Sequence, residues 1–206
     1  MSAVDIIFYI NLESRTDRKE HFLNEITKLT SDMTKVIRID AIKDKFGALG
    51  CTYSHIKAIE EFERNPEWKT CIIFEDDFTF KNADSEINNR YISTFMKEFP
   101  DWDVLALSHN DTKSSVTHHS DYIKLQMSRT ASGYCLNKKF APILKANFLE
   151  SSHIFRSINQ YMGEFALDTY WWRLMPISNW FAIVPAVGYQ CAGYSDIAES
   201  HVEYNC

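Results

Sequence analysis

Short unbroken apolar runs alternate along this chain with stretches of helical period. Residues 4–10 (VDIIFYI) are almost wholly apolar and β-rich, the pattern of a strand covered on both faces, and the run breaks at Asn11-Leu12-Glu13-Ser14-Arg15. From Thr16 the apolar positions Phe22, Leu23, Ile26 and Leu29 predict a helix, with Ser14 or Thr16 as its N-cap and Asp17 and Glu20 in its first turns. Residues 35–40 (KVIRID) predict a second strand. A polar loop holding Gly47 and Gly50 follows, then a helix through Tyr53, Ile56, Ile59 and Phe62 that Asn65-Pro66 stops. A third buried strand, 69–74 (KTCIIF), ends abruptly in Glu75-Asp76-Asp77. Strands separated by helices predict parallel pairing with right-handed crossovers, hence an α/β fold whose ligands gather beyond the carboxyl ends of the strands.

The second half is less regular. Residues 84–99 predict a helix closed by Pro100, 103–108 (DVLALS) a fourth strand, and the polar stretch 109–120 a mobile loop. Shorter strands are predicted at 122–126, 131–136 and 180–184, and a helix over 139–149 with Pro142 in its first turn. The tail, 188–206, is polar with little period.

At 206 residues the chain can bury one full core and is read as one domain over 1–206; 45% hydrophobic and 24% charged residues exclude disorder. Lys and Arg number 22 against 28 Asp and Glu, a net charge of −6, and the basic residues are scattered, which argues against nucleic acid as a partner. Apolar runs such as Cys71-Ile72-Ile73-Phe74 fall far short of the roughly 20 residues of a membrane span, and no basic segment precedes the first strand as in a secretion signal. No membrane span and a cytoplasmic location are therefore expected. Five cysteines without C-x-x-C spacing predict a reducing environment and no structural zinc.

Candidate chemistry concentrates at the predicted strand ends. Glu75, Asp76 and Asp77 repel one another unless a cation lies among them; a divalent ion with hard oxygen ligands would remove that conflict, and a solvated acidic turn is the bland alternative. Asn11, Arg15 and Arg18 follow the first strand, placed for a nucleotide or phosphate, or else as surface charge at a helix start. Gly47, Gly50, Ser54 and His55 cluster at the start of the second helix, where free N–H groups make an anion seat; His55 is equally a packing residue. Asp168, in Leu167-Asp168-Thr169-Tyr170-Trp171-Trp172, is either a helix N-cap or a partly desolvated general base, and its aromatic neighbours are either a sugar-stacking face or core plus rim.

Tyr9-Ile10-Asn11-Leu12 with Arg15 and Arg18, then Gly50-Cys51 with Ser54-His55-Ile56, then Phe74-Glu75-Asp76-Asp77, resemble in order and spacing glycosyltransferase family 25, the lipopolysaccharide and collagen-type sugar transferases. Ser132-Gly133-Tyr134-Cys135-Leu136, Asp168, Gln190 and Ser195-Asp196-Ile197 look like that family's later blocks. The resemblance implies a glycosyltransferase A-type fold, a Rossmann-like, mainly parallel mixed sheet flanked by helices, with a donor-binding part to about residue 110 and an acceptor-side part from about 111. It implies a UDP-hexose donor, Mn2+ or Mg2+ on Glu75, Asp76 and Asp77 with Asp77 the best ligand, and a glycan or glycoprotein acceptor. Tyr9, Ile10, Asn11, Arg15, Asp40 and Ala41 would border the nucleotide, Ser54 and His55 would support the donor pocket, and Asp168 would be the acceptor-side base of an inverting transfer. The short chain looks more like minimal bacterial or viral members than collagen-type ones. A catalytically silent nucleotide- or glycan-binding module of the same fold is the alternative.

Overall fold

The computed structural model describes residues 4–195 and 200–202. Strand β1 (Ile6–Asn11) is buried along its whole length and lies between β2 (Val36–Asp40) and β3 (Thr70–Glu75), parallel to both. Helix α1 (Thr16–Glu25) connects β1 to β2 and α2 (Gly47–Arg64) connects β2 to β3, as the alternating pattern predicts. A short strand β4 (Phe78–Phe80) and helix α3 (Ser85–Glu98) follow, then β5 (Val104–Ala106), β6 (Asn110–Val116), β7 (Tyr122–Arg129) and β8 (Gly133–Asn137). The chain continues through α4 (Ala141–Ile158), α5 (Leu167–Tyr170) and β9 (Trp180–Ile183), and ends in β10 (Gly188–Gln190), β11 (Gly193–Ser195) and β12 (Ser200–Val202).

The main sheet has the order β2-β1-β3-β8-β5-β9-β7-β6. Followed through the pairings, β7 and β8 run against the other six strands, so the sheet is mixed but mainly of one direction. Successive strand residues face opposite sides, which builds two cores. Ile6, Phe8 and Ile10 pack with Ile56, Ile59 and Phe62 of α2 and with Leu144 and Phe148 of α4. Ile7 and Tyr9 pack with Phe22 of α1 and with Ile92 and Phe95 of α3.

Several expectations are corrected. Residues 109–120 are not a loop: β5 and β6 run on as one arm, and β7 and β8 as the other arm, of a long bent hairpin, with Asn110 opposite Arg129 and Ala106 opposite Tyr134. The polar sequence hid it because β6 lies at the sheet edge, where solvent rather than core meets its side chains; Val116 is 90% exposed. The hairpin bends at 107–109 and 130–132, where the Ser108 and Ser132 hydroxyls meet at 2.7 Å and Thr130 takes a left-handed φ of 82°. Helix α1 is preceded by Arg15 with no side-chain cap, so neither Ser14 nor Thr16 caps it. Helix α2 already starts at Gly47, because Gly50 belongs to its first turns; a Cβ there would lie 2.4 Å from the Ile42 carbonyl oxygen, so only glycine admits this approach. Helix α4 runs past 149 to Ile158, its buried Ser151 and Ser152 interrupting the apolar period, and ends on Asn159 in the left-handed region.

Candidate active site

The carboxyl ends of β1, β2 and β3 lie side by side, Asn11 opposite Asp40 and Ile10 opposite Glu75, so the residues after them share one edge. Asn11 is buried there as a hub. Its Nδ2 donates to Asp76 Oδ2 at 2.7 Å and to the Arg15 carbonyl at 3.0 Å, and its Oδ1 accepts from Arg38 Nε at 3.1 Å. Arg18, in the first turn of α1, donates from Nη1 to Asp76 Oδ1 at 3.0 Å and to Asp77 Oδ2 at 2.9 Å. A guanidinium thus neutralises part of the acidic tip.

Asp77 is almost fully enclosed. Gln190 Nε2 donates to its Oδ2 at 3.1 Å and the Cys191 N–H to its carbonyl at 2.9 Å, contacts brought in by the antiparallel pairing of β10 with β4. That pairing was not foreseen from the polar tail. Its signal is glycine: a Cβ on Gly133 or Gly188 would lie 2.6 Å or 2.1 Å from the Phe78 ring, so both clear space for the strand that carries the tip. Among the described residues, the buried Asp77 Oδ1 has no hydrogen-bond partner. Burial and then Glu75 push this carboxyl up to about 7 against the pull of Arg18, and burial also raises Asp76. A buried, unpartnered carboxylate oxygen beside other oxygen donors suits a hard divalent cation.

Glu75 turns the other way. As the last residue of β3 it shares the α2 side of the strand with Cys71 and Ile73, and its Oε1 meets His55 Nε2 at 3.3 Å and Cys51 Sγ at 3.7 Å. His55 is fully buried, with Nδ1 3.0 Å from the Tyr134 hydroxyl. Burial, and then Glu75, hold the Cys51 thiol well above its ordinary range. Within the triplet, Glu75 thus takes His55 and Cys51 as partners, whereas Asp76 and Asp77 take Arg18.

Asp168 sits on the same side as Glu75. It is not an N-cap: α5 is preceded by Ala166, and Asp168 Oδ2 instead accepts the Thr130 N–H at 3.2 Å, at the bend of the hairpin. Burial raises its carboxyl, Thr130 opposes this, and Glu75 adds to it. Tyr170 and Trp171 are buried core, while Trp172 is partly buried beneath the Arg129 guanidinium at 5.1 Å; both indole N–H groups donate to the Ser128 carbonyl.

The other anticipated residues are placed as follows. The Tyr9 ring stacks on Phe22 at 4.6 Å and Ile10 lies in the α2-side core, so neither turns its bulk to a ligand. Arg15 forks onto Asp17 at 3.0 and 2.8 Å. Asp40 is exposed and pairs with Arg38 at 2.6 Å, and the Ala41 N–H donates to the Asn11 carbonyl. Ser54 Oγ accepts the Ile42 N–H at 2.8 Å and donates to the Gly50 carbonyl, tying the loop after β2 to α2. At the start of α2, Asp44 takes the N–H of the N-cap residue Phe46 and the loop backbone packs against Gly50, while no side chain caps the first turn. Asp196 and Ile197 lie outside the described residues.

Neither a family model nor a curated protein matches the sequence. Among solved structures the fold is similar to that of a protein from STIV, at TM-score 0.54 and 9% identity over 98% of this chain and 94% of that one. It is similar also to a glycosyltransferase involved in the glycosylation of the major capsid of PBCV-1, at 0.52 and 10% over 86% and 80%. UDP-glucose pyrophosphorylase from Acinetobacter baumanii aligns at 0.50 and 12% over 87% and 69%. The fold is α/β of the glycosyltransferase A-type, an architecture shared with a nucleotidyltransferase. Among the described residues no helix is long and apolar enough to cross a membrane.

Proposed function

We propose that this chain is a metal-dependent glycosyltransferase of the family-25 type, moving a hexose from a nucleotide-diphosphate sugar, UDP-hexose in the first instance, to a hydroxyl of a glycan or glycoprotein. The observation that carries this reading is the buried, unpartnered Asp77 Oδ1 at the carboxyl edge of the parallel strands, on a fold shared with a glycosyltransferase and a UDP-glucose pyrophosphorylase. Asp77, with Asp76 beside it, is the holder of Mn2+ or Mg2+, which when bound supplies charge stabilisation to the departing diphosphate. Asn11 and Arg18 orient these carboxylates, and the segments around Tyr9, Ile10, Arg15, Asp40 and Ala41 border the nucleotide by their position at the strand ends. Residues to about 110 serve the donor and those beyond it the acceptor.

Asp168, raised by burial and approached by Glu75, is the base that takes the acceptor hydroxyl proton as that oxygen attacks the anomeric carbon with inversion. The work would be done in the cytoplasm of a bacterium or of a virus-infected cell. Calorimetric titration of UDP with and without manganese, on wild type and Asp77→Ala, tests the reading: manganese should tighten UDP binding in wild type and not in the variant. Equally weak binding in all four arms would refute the donor assignment. Metal-dependent release of free sugar from a UDP-sugar separates the enzyme from a silent binding module.

A further inference from the structure

Cys51 and His55 stand four residues apart in α2, so the helical period puts them on one face, and strand alternation brings Glu75 to that face from β3. Their ligand atoms, Cys51 Sγ, His55 Nε2 and a Glu75 carboxylate oxygen, all lie within 4.8 Å of one another. We propose that these three residues form a zinc-class metal site, distinct from the donor cation at Asp77, with its fourth position open toward the substrate edge.

The separations suit this. Zinc bonds to nitrogen and oxygen of about 2.0–2.1 Å and to sulfur of about 2.3 Å give tetrahedral edges of roughly 3.3 Å between nitrogen and oxygen and roughly 3.5 Å between sulfur and oxygen. The corresponding distances are 3.3 Å and 3.7 Å, and the third edge, sulfur to nitrogen, lies within the 4.8 Å that bounds the three ligand atoms. The imidazole is also oriented as a ligand would be. Its Nδ1 is engaged by the Tyr134 hydroxyl at 3.0 Å, leaving Nε2 for the cluster, and the ring is held between Tyr134, stacked at 5.8 Å, and the edge of Phe148 at 6.3 Å.

The donor set is selective. Sulfur, nitrogen and a single carboxylate favour zinc over magnesium or calcium, whereas Asp76 and Asp77 offer oxygen alone. Three protein ligands with a free position are the arrangement of zinc sites that bind water or substrate, while structural sites are closed by four. Solvent reaches the edge of the cluster, since Cys51 is only half-buried and the Glu75 side chain is 18% exposed. The competing state is a metal-free chain of hydrogen bonds from Tyr134 through His55 and Glu75 to Cys51.

The two states separate by spectroscopy on the whole chain, stripped with chelator and without nucleotide. Cobalt(II) should bind at one equivalent with a near-ultraviolet thiolate charge-transfer band, displaced by zinc. The band should persist in Asp77→Ala and vanish in Cys51→Ser. Tyr134→Phe should keep the band but weaken zinc by roughly 10–100-fold, the usual cost of losing an outer partner. Glu75→Ala should weaken zinc further than that. Absence of the band in folded wild type, its survival in Cys51→Ser, or unchanged zinc affinity in Glu75→Ala would overturn the site. The manganese and UDP titration is read separately, so either proposal can fail alone.

Discussion

On the α2 side of the sheet Glu75 meets an imidazole and a thiol; on the α1 side, one residue later, Asp76 and then Asp77 meet a guanidinium and amide groups. Three like charges in a row are thereby shared between two environments, one of mixed sulfur, nitrogen and oxygen donors and one of oxygen donors with its own cation. The cause is the period of a strand, which sends neighbours to opposite faces, followed by a turn that leaves Asp77 beside Asp76. A run of carboxylates at a strand end can thus take two sets of partners as readily as one.

The comparison can be broken first at Asp168, on the Glu75 side. Asp168→Asn should leave UDP affinity intact and lower transfer by about 10²–10⁴-fold, measured as sugar transferred per unit time at saturating donor. Loss of donor affinity instead would make Asp168 a binding residue. On the opposite side, Arg18→Ala removes a cation from two buried carboxylates and should cost about 3–5 kcal/mol in urea unfolding. A smaller loss would mean that water or a neighbouring group replaces the guanidinium.

Gly50→Ala probes how rigidly the Cys51 and His55 helix is seated. Alanine is the better helix former, yet its Cβ would press on the Ile42 carbonyl, so a net loss of about 1–3 kcal/mol is expected in the same assay. The smallest effect belongs to Arg15, three residues before Arg18 but paired with an Asp17 that is largely exposed. Arg15→Ala should change stability by no more than about 1 kcal/mol near neutral pH. Its hydrogen bond holds Asp17 down at about 2, so the contribution is present above the usual carboxylate pKa of about 4 and disappears as pH falls through about 2. Thermal midpoints of wild type and variant should therefore converge below pH 2; a gap that widens in acid would reverse the assignment.

The alternation of apolar runs with helical spacing made β1, α1, β2, α2 and β3 legible, and with them the edge where the acidic tip lies. Asn11 and Arg18 were legible as strand-end residues for the same reason. The hairpin arm at 110–116 was not, because an edge strand buries too little to carry an apolar period. Nor was the pairing of β10 with β4, which places Gln190 on Asp77 and leaves only two glycines against one phenylalanine ring as its trace.

Local pattern by itself determined the order of elements and the edge at which chemistry gathers, since burial periods are written into consecutive residues. Which partner each charged group acquired was decided by the tertiary structure alone. Arg18 on Asp77, Tyr134 on His55 and Thr130 on Asp168 join residues 59, 79 and 38 positions apart, and only the crossing of helix, strand and bent hairpin sets such distances.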